Sequence, residues 1–328
     1  MLNWTFSRHG TGAENPAPHD GMGSAPARHQ QEGTGRTLIV APEKTRIALA
    51  LGGGAARGWA HIGVLRALDE EGIPVGMIAG TSIGALVGGC YLAGKLDELE
   101  TFARSLTMRR IAGLLDLAIG GGGLFGGLRL TRRMQEHLDD VLIENLGRPF
   151  VAIATDIKSG HEVWLTEGSL ITALRASYAL PGIFEPIRCN GRMLVDGALV
   201  NPVPVSVCRA YEQPLVVAVN LQYDLYGRSA VIKLRAGDPV AHPEHQQTAT
   251  PVARLGMTSV MVQAFNVIQD RISRAKLAGD PPDLSLHPKL SDIGLSEFHR
   301  AGEAIDRGYV ETKNRLTELR RLQETVLR

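Results

Sequence analysis

Cysteine is scarce in this sequence, and its spacing excludes more than its number does. Only Cys90, Cys189 and Cys208 occur among 328 residues. An odd count without a Cys-x-x-Cys pair points to neither a disulfide framework nor a thiolate metal site. The three read as small buried hydrophobes. An excess of one charge sign is also missing: 35 basic residues face 34 acidic ones, a net charge of +1. That balance calls for neither nucleic acid nor strong attraction to anionic lipid. No apolar run reaches the roughly 18 residues of a membrane-spanning helix, so none is expected. The first residues lack a basic stretch followed by an apolar core, so no secretory signal is expected and the cytoplasm is the default location. No internal repeat is evident. What is present, 44% hydrophobic and 21% charged residues, is ordinary globular composition.

Residues 1 to about 43 are rich in Gly, Pro, Ala, His and Gln and carry almost no apolar periodicity. They read as a disordered tail before a folded domain over 44–328. Order is expected from the apolar run Thr45 to Leu51, closed by glycines like a buried strand. Trp59, Ile62, Leu65 and Leu68 then recur every three residues with Arg66, Asp69 and Glu70 between them, which predicts an amphipathic helix. Val75 to Gly80, Phe150 to Thr155 and Pro214 to Leu221 read as further core strands, and Ile83 to Ala93 as a helix. Unbroken apolar strands alternating with helices predict an α/β fold, a mostly parallel sheet covered on both faces. Asn190-Gly191 between two short runs is a strong hairpin signal, so the sheet should be mixed. Residues 224–256, with His242 and His245, are polar and loop-like. Long helices are expected from about Met257 to Leu277 and from Leu295 to the end of the chain.

Three segments carry chemistry. Gly80-Thr81-Ser82-Ile83-Gly84 lies between an apolar strand and a helix. There the small residues permit a strained turn that presents the Ser82 hydroxyl at a helix start, and the helix N-terminus favours a developing negative charge. The plainer reading is a helix capped by Thr81 or Ser82. Gly52-Gly53-Gly54-Ala55-Ala56-Arg57-Gly58 follows the first strand. Successive amides of such a turn make an anion receptor, for a phosphate or for a tetrahedral oxyanion; tight strand–helix packing is the alternative. The dinucleotide fingerprint fails at Arg57, and no Gly-Lys-Ser/Thr follows. Asp196-Gly197-Ala198 ends a strand, as a turn start or as a base reaching the serine. A strict G-x-G-x-x-G at Gly121, Gly123 and Gly126 lacks a βαβ context and an acidic partner. The apolar stretch around it, with Leu114, Leu115, Leu117, Ile119, Leu124 and Phe125, reads either as a lid over a lipid site or as ordinary core or loop.

Taken in order, these segments resemble the bacterial branch of the patatin-like phospholipases. The resemblance rests on Leu49 to Gly58 followed by Ala60-His61-Ile62-Gly63-Val64-Leu65, on Gly80 to Gly84, on Ala176-Ser177-Tyr178-Ala179-Leu180-Pro181-Gly182-Ile183-Phe184-Glu185-Pro186, and on Asp196-Gly197-Ala198. It implies a three-layer α/β/α fold and hydrolysis of lipid acyl esters, with Ser82 as nucleophile and Asp196 as its base or orienter. By the same resemblance the backbone amides of Gly53, Gly54 and Ala55 form the oxyanion hole. Arg57, Gly58, Gly80, Gly84 and Gly197 are motif residues, and neither metal nor organic cofactor is needed. A long-chain lipid must leave a bilayer or micelle, so peripheral membrane contact is expected, and no nucleic acid. The departure is Ala55, where the family usually has glycine; it is the support for a rival reading as a non-catalytic regulatory protein. An acyltransferase on the same fold is the other rival. The order Ser82, Asp196, then His287 or His299 would allow a triad, but the glycine nest and the Asp-Gly-Ala element fit a dyad better.

Overall fold

A computed structural model describes residues 46–109, 111, 134–136, 138–224 and 257–326. The expected tail (1–43), the glycine-rich apolar segment with Leu114, Leu115, Leu117, Ile119, Gly121, Gly123, Leu124, Phe125 and Gly126, His137, and residues 225–256 lie outside the described residues.

Among the described residues eight strands form one sheet: β1 (Ile47–Leu51), β2 (Val75–Thr81), β3 (Phe150–Asp156), β4 (Glu162–Leu165), β5 (Ile187–Cys189), β6 (Arg192–Asp196), β7 (Val216–Val219) and β8 (Leu284–Leu286). The order is β5-β6-β3-β2-β1-β7-β8, with β4 paired to β3. The run β3-β2-β1-β7-β8 is parallel, and β4, β6 and β5 are antiparallel additions at one end. The sheet is therefore mixed, as the hairpin signal predicts. Asn190 (φ 46°) and Gly191 (φ 75°) both sit in the left-handed region, which a two-residue turn matching strand twist requires.

The helices are α1 (Ala60–Glu70), α2 (Ile83–Leu92), α3 (Leu96–Arg104), α4 (Leu170–Ser177), α5 (Val205–Ala210), α6 (Met257–Gly279) and α7 (Ala301–Val326). Side chains on a strand alternate between faces, and β1 shows what each face wants. Ile47, Leu49 and Leu51 enter the larger core with α1, α2 and α7. Ala48 and Ala50 face a second core with Val205, Val207 and Cys208 of α5. Each fully buried Leu or Ile contributes about 1.5–3 kcal/mol, so the first face supplies more of the driving force. The alanines of the second leave less bulk beneath α5. Helices on both faces give the three-layer α/β/α arrangement.

Two glycines set how α7 grips α1. A Cβ at Gly63 would lie 1.8 Å from the Ile305 carbonyl oxygen, and one at Gly308 would lie 2.0 Å from that of Ala60. No side chain fits there, so the two backbones meet directly and fix the helix that carries the motif after the nest.

Candidate active site

Parallel β1 and β2 end at the same edge, so the glycine nest and the serine emerge side by side. Thr81, the last residue of β2, pairs with Ile153 of β3. On the other side of β3, Asp196 pairs with Ala154. Ser82 and Asp196 thus flank the end of one strand, one register step apart. Their side chains close the gap: Ser82 Oγ donates to Asp196 Oδ2 at 2.8 Å. Both are buried, with 9% of Ser82 and 3% of Asp196 exposed.

Ser82 has φ 57° and ψ −123°, a sparsely populated conformation that L-residues hold only when the surroundings impose it. The surroundings are close. A Cβ at Gly80 would lie 2.5 Å from Ala85 Cα, and one at Gly84 would lie 2.2 Å from the Leu51 carbonyl oxygen. Ile83 similarly fills the space a side chain on Gly58 would need, and the Ile153 carbonyl blocks one on Gly197. These glycines let strand, elbow and helix α2 approach to backbone contact. The Ser82 amide donates to Ser177 Oγ at 2.9 Å, and that hydroxyl donates to the Ile153 carbonyl at 2.6 Å.

Besides the Ser82 contact at Oδ2, Asp196 is held at its other carboxylate oxygen and at its backbone carbonyl. Oδ1 accepts the Ala198 amide at 2.9 Å, and the Asp196 carbonyl accepts from Thr155 Oγ1 at 2.9 Å. Burial pushes its carboxyl up to about 7, against the lowering effect of the Ala198 amide and the Ser82 hydroxyl. Asn201, fully buried, ties the turn after Asp196 to the elbow: its carbonyl accepts from Thr81 Oγ1 at 2.8 Å and its amide donates to Gly197 at 2.9 Å.

The nest departs from expectation at one donor. Gly53 stands beside the serine, since a Cβ on it would lie 3.5 Å from Ser82 Cβ. Its amide, however, donates to the Pro202 carbonyl at 2.9 Å. One N–H cannot also serve a substrate oxygen, so Gly53 shapes the pocket without supplying a donor. Among the described residues no backbone acceptor takes the amides of Gly54 or Ala55. Ala55 has φ 48°, the left-handed conformation a glycine adopts without penalty. Alanine therefore keeps the turn and carries its strain. Arg57 is buried and donates Nε to the Ile293 carbonyl at 2.7 Å, bracing the turn from behind.

No histidine hydrogen-bonds Ser82 or Asp196 among the described residues. His61 is fully buried in α1 with Nε2 at 2.7 Å from the Gly52 carbonyl oxygen, and burial lowers its imidazole to about 4. His287 stacks on Tyr223 with ring centroids 4.0 Å apart. His299 lies in the short 3-10 turn Phe298–Arg300 that precedes α7. The triad order through His287 or His299 is thus not assembled. Sequence reasoning gave no role to Ser177, Thr155 or Asn201. Their partners lie 24, 41 and 120 residues away, and only the quoted segment around Ser177 hinted at one.

Comparison with known proteins gives the family. The family model for patatin-like phospholipase matches residues 49–209. An uncharacterized NTE family protein of Mycobacterium tuberculosis is 32% identical over 320 residues, covering 80% of this chain and 89% of that protein. The chain belongs to the patatin-like phospholipase family. Membership makes it a hydrolase of the phospholipase type acting on lipid. The Lysophospholipase NTE1 of Mycosarcoma maydis is 38% identical over 183 residues, 53% of this chain but 10% of that protein. The crystal structure of VipD from Legionella pneumophila has a TM-score of 0.51 at 13% identity, over 84% of this chain and 67% of that one; it speaks for the fold alone.

Proposed function

We propose that this patatin-like phospholipase hydrolyses the acyl ester of a phospholipid or lysophospholipid through a Ser82–Asp196 dyad. The observation that carries the reading is the 2.8 Å contact between Ser82 Oγ and Asp196 Oδ2 in a site that holds the carboxyl near 7. A base is most effective when its proton affinity matches the working pH, and burial has moved this carboxylate there.

In the proposed reaction Ser82 Oγ attacks the ester carbonyl while its proton passes to Asp196 Oδ2. The carbonyl oxygen becomes an oxyanion beside the N-terminus of α2 and the amides of Gly54 and Ala55, which no backbone acceptor among the described residues takes. Such a donor is worth roughly 3–4 kcal/mol of barrier in serine hydrolases. Collapse expels the alcohol, which takes the proton back from Asp196. Water then cleaves the acyl-enzyme, with Asp196 again accepting the proton. The Ala55 departure ceases to favour a non-catalytic protein, because at φ 48° alanine occupies the conformation that the family glycine would.

Peripheral membrane contact is part of the proposal, and its support comes from α6. Val260, Met261, Ala264, Val267 and Ile268 are exposed, whereas Asn266, Gln269, Asp270 and Ser273 are buried. An ordinary surface helix has the opposite arrangement. The helix packs on the Gly197–Leu199 turn, and Met261 Cε lies 3.3 Å from where a Cβ on Gly182 would be. The outward apolar stripe is thus carried by a helix that packs on the turn directly after Asp196, and lipid would meet the protein along it. Among the described residues no helix is long and apolar enough to cross a membrane.

A fluorophosphonate probe with a lipid panel tests the reading. Wild-type protein should be labelled and should release fatty acid from at least one phospholipid or lysophospholipid, and Ser82→Ala should do neither. Labelling that persists in Ser82→Ala would remove Ser82 as the nucleophile.

A further inference from the structure

The Gly52–Gly53 peptide is held at both of its polar ends. Its carbonyl oxygen lies 2.7 Å from His61 Nε2, and its N–H donates to the Pro202 carbonyl at 2.9 Å. Since a carbonyl can only accept, Nε2 carries the proton. His61 is the second residue of α1, where side chains lean toward the helix N-terminus, so it can reach back nine residues. Its Nδ1 is buried and has no hydrogen-bond partner among the described residues. Leaving a buried acceptor unpaired costs stability, and an apolar side chain would avoid that cost. What an apolar side chain cannot do is donate to Gly52.

We infer that His61 is a positioning residue: with Pro202 it fixes the plane of the Gly52–Gly53 peptide, so that the Gly54 and Ala55 amides that follow are aimed at the oxyanion. The inference rests on the dyad reading above and adds to it the residue that sets the anion pocket. The peptide on which the pocket is built has no side chain to hold it, because Gly52 and Gly53 bring none. Space excludes one as well: a Cβ at Gly52 would lie 2.9 Å from the Val219 carbonyl oxygen. Orientation must therefore come from hydrogen bonds to the backbone, and these are the two bonds available. His61 does not exchange protons in the reaction. It is held neutral by burial, and among the described residues it makes no hydrogen bond to Ser82 or Asp196 and its one bond is to a carbonyl.

Three substitutions separate the clamp from simple packing. His61→Gln can place an amide donor near the position of Nε2, His61→Asn carries the same donor on a shorter stem, and His61→Leu has none. Turnover of a soluble short-chain ester is measured per active site titrated with the fluorophosphonate. Backbone amide exchange at Gly52 to Ala55 is read on the same samples. His61→Gln should keep kcat within about threefold. His61→Asn and His61→Leu should each lose about 100-fold, as after removal of an oxyanion donor. KM should stay within about twofold, because the loss falls on the transition state, and the pH midpoint of activity should not move. Nest amides should exchange faster in the Asn and Leu variants only. Equal kcat in the Gln and Asn variants would overturn the inference, even if His61→Leu fails to fold. So would a shifted pH midpoint in His61→Gln, which would make His61 an acid or base. If wild-type protein shows no Ser82-dependent hydrolysis, the dyad reading fails; the exchange data then still decide whether His61 holds the nest, and unchanged exchange in His61→Leu would overturn that too.

Discussion

At Ala55 the chain carries a methyl group in a conformation where glycine is free. A non-glycine residue in the left-handed region costs roughly 1–2 kcal/mol. Replacing it by glycine loosens the unfolded chain and gives back about 0.4–1 kcal/mol. The difference predicts that Ala55→Gly is modestly more stable, by at most about 1.6 kcal/mol, with kcat within about twofold. Thermal unfolding should then show a rise of roughly 1–3 °C; a fall of several degrees would mean that the methyl packs usefully and the strain account is wrong. The sequence marked Ala55 as unusual but could not give its φ, because the same four letters Gly-Gly-Gly-Ala fit either backbone. Ser177 was less legible still. Its hydroxyl bridges the Ser82 amide and the Ile153 carbonyl, and no local pattern announces a bond across 95 residues.

At the scale of elements, legibility followed burial. The apolar runs of β1, β2, β3 and β7 and the Asn-Gly hairpin could be read because each is a run of residue types that only a core strand or a tight turn tolerates. Strands β4 and β8 carry no such signal. Glu162–Leu165 is half-exposed with a polar start, and Leu284–Leu286 is three residues long, too short for any periodicity. The C-terminal helix, expected from Leu295, begins at Ala301. Before it, the Glu297 side chain accepts the Gly294 amide at 2.7 Å and the chain makes a 3-10 turn. The sequence pattern places helix α6 but not its inverted faces, because which side of a helix meets the protein is a tertiary matter. If the outward stripe meets lipid, Val267→Glu with Ile268→Glu should leave turnover of a short soluble ester unchanged and reduce turnover of vesicles at least roughly tenfold, since each charge opposes burial in an apolar surface. Equal loss on both substrates would make the stripe structural.

Over the whole molecule, the fold gathers residues from 52 to 201 onto one sheet edge and leaves two buried ionisable groups there that pull stability in opposite directions. Asp196 has a raised proton affinity in the fold, to about 7. Its favourable contribution is complete below the unfolded value near 3.9 and is lost as pH rises toward 7. His61 is lowered to about 4, so its contribution is present above about 6.5 and is lost as pH falls toward 4. Between about 4 and 6.5 the two largely cancel. Above 7 the ionised Asp196 is a net cost, of order a few kcal/mol at about 1.36 kcal/mol per pH unit between the two values. That same ionised carboxylate is the form that can accept the Ser82 proton, so the active state is the less stable one.

Asp196→Asn tests this most directly, because the account requires stability and activity to move apart. At pH 8 the variant should melt higher than wild type, having lost the buried charge. Between pH 6.5 and 4 it should lose stability on acidification, with His61 no longer balanced. Its kcat on a short-chain ester should fall at least roughly 1,000-fold, and wild-type kcat/KM should rise with pH through about 7. An Asp196→Asn protein that retained wild-type turnover would contradict the dyad.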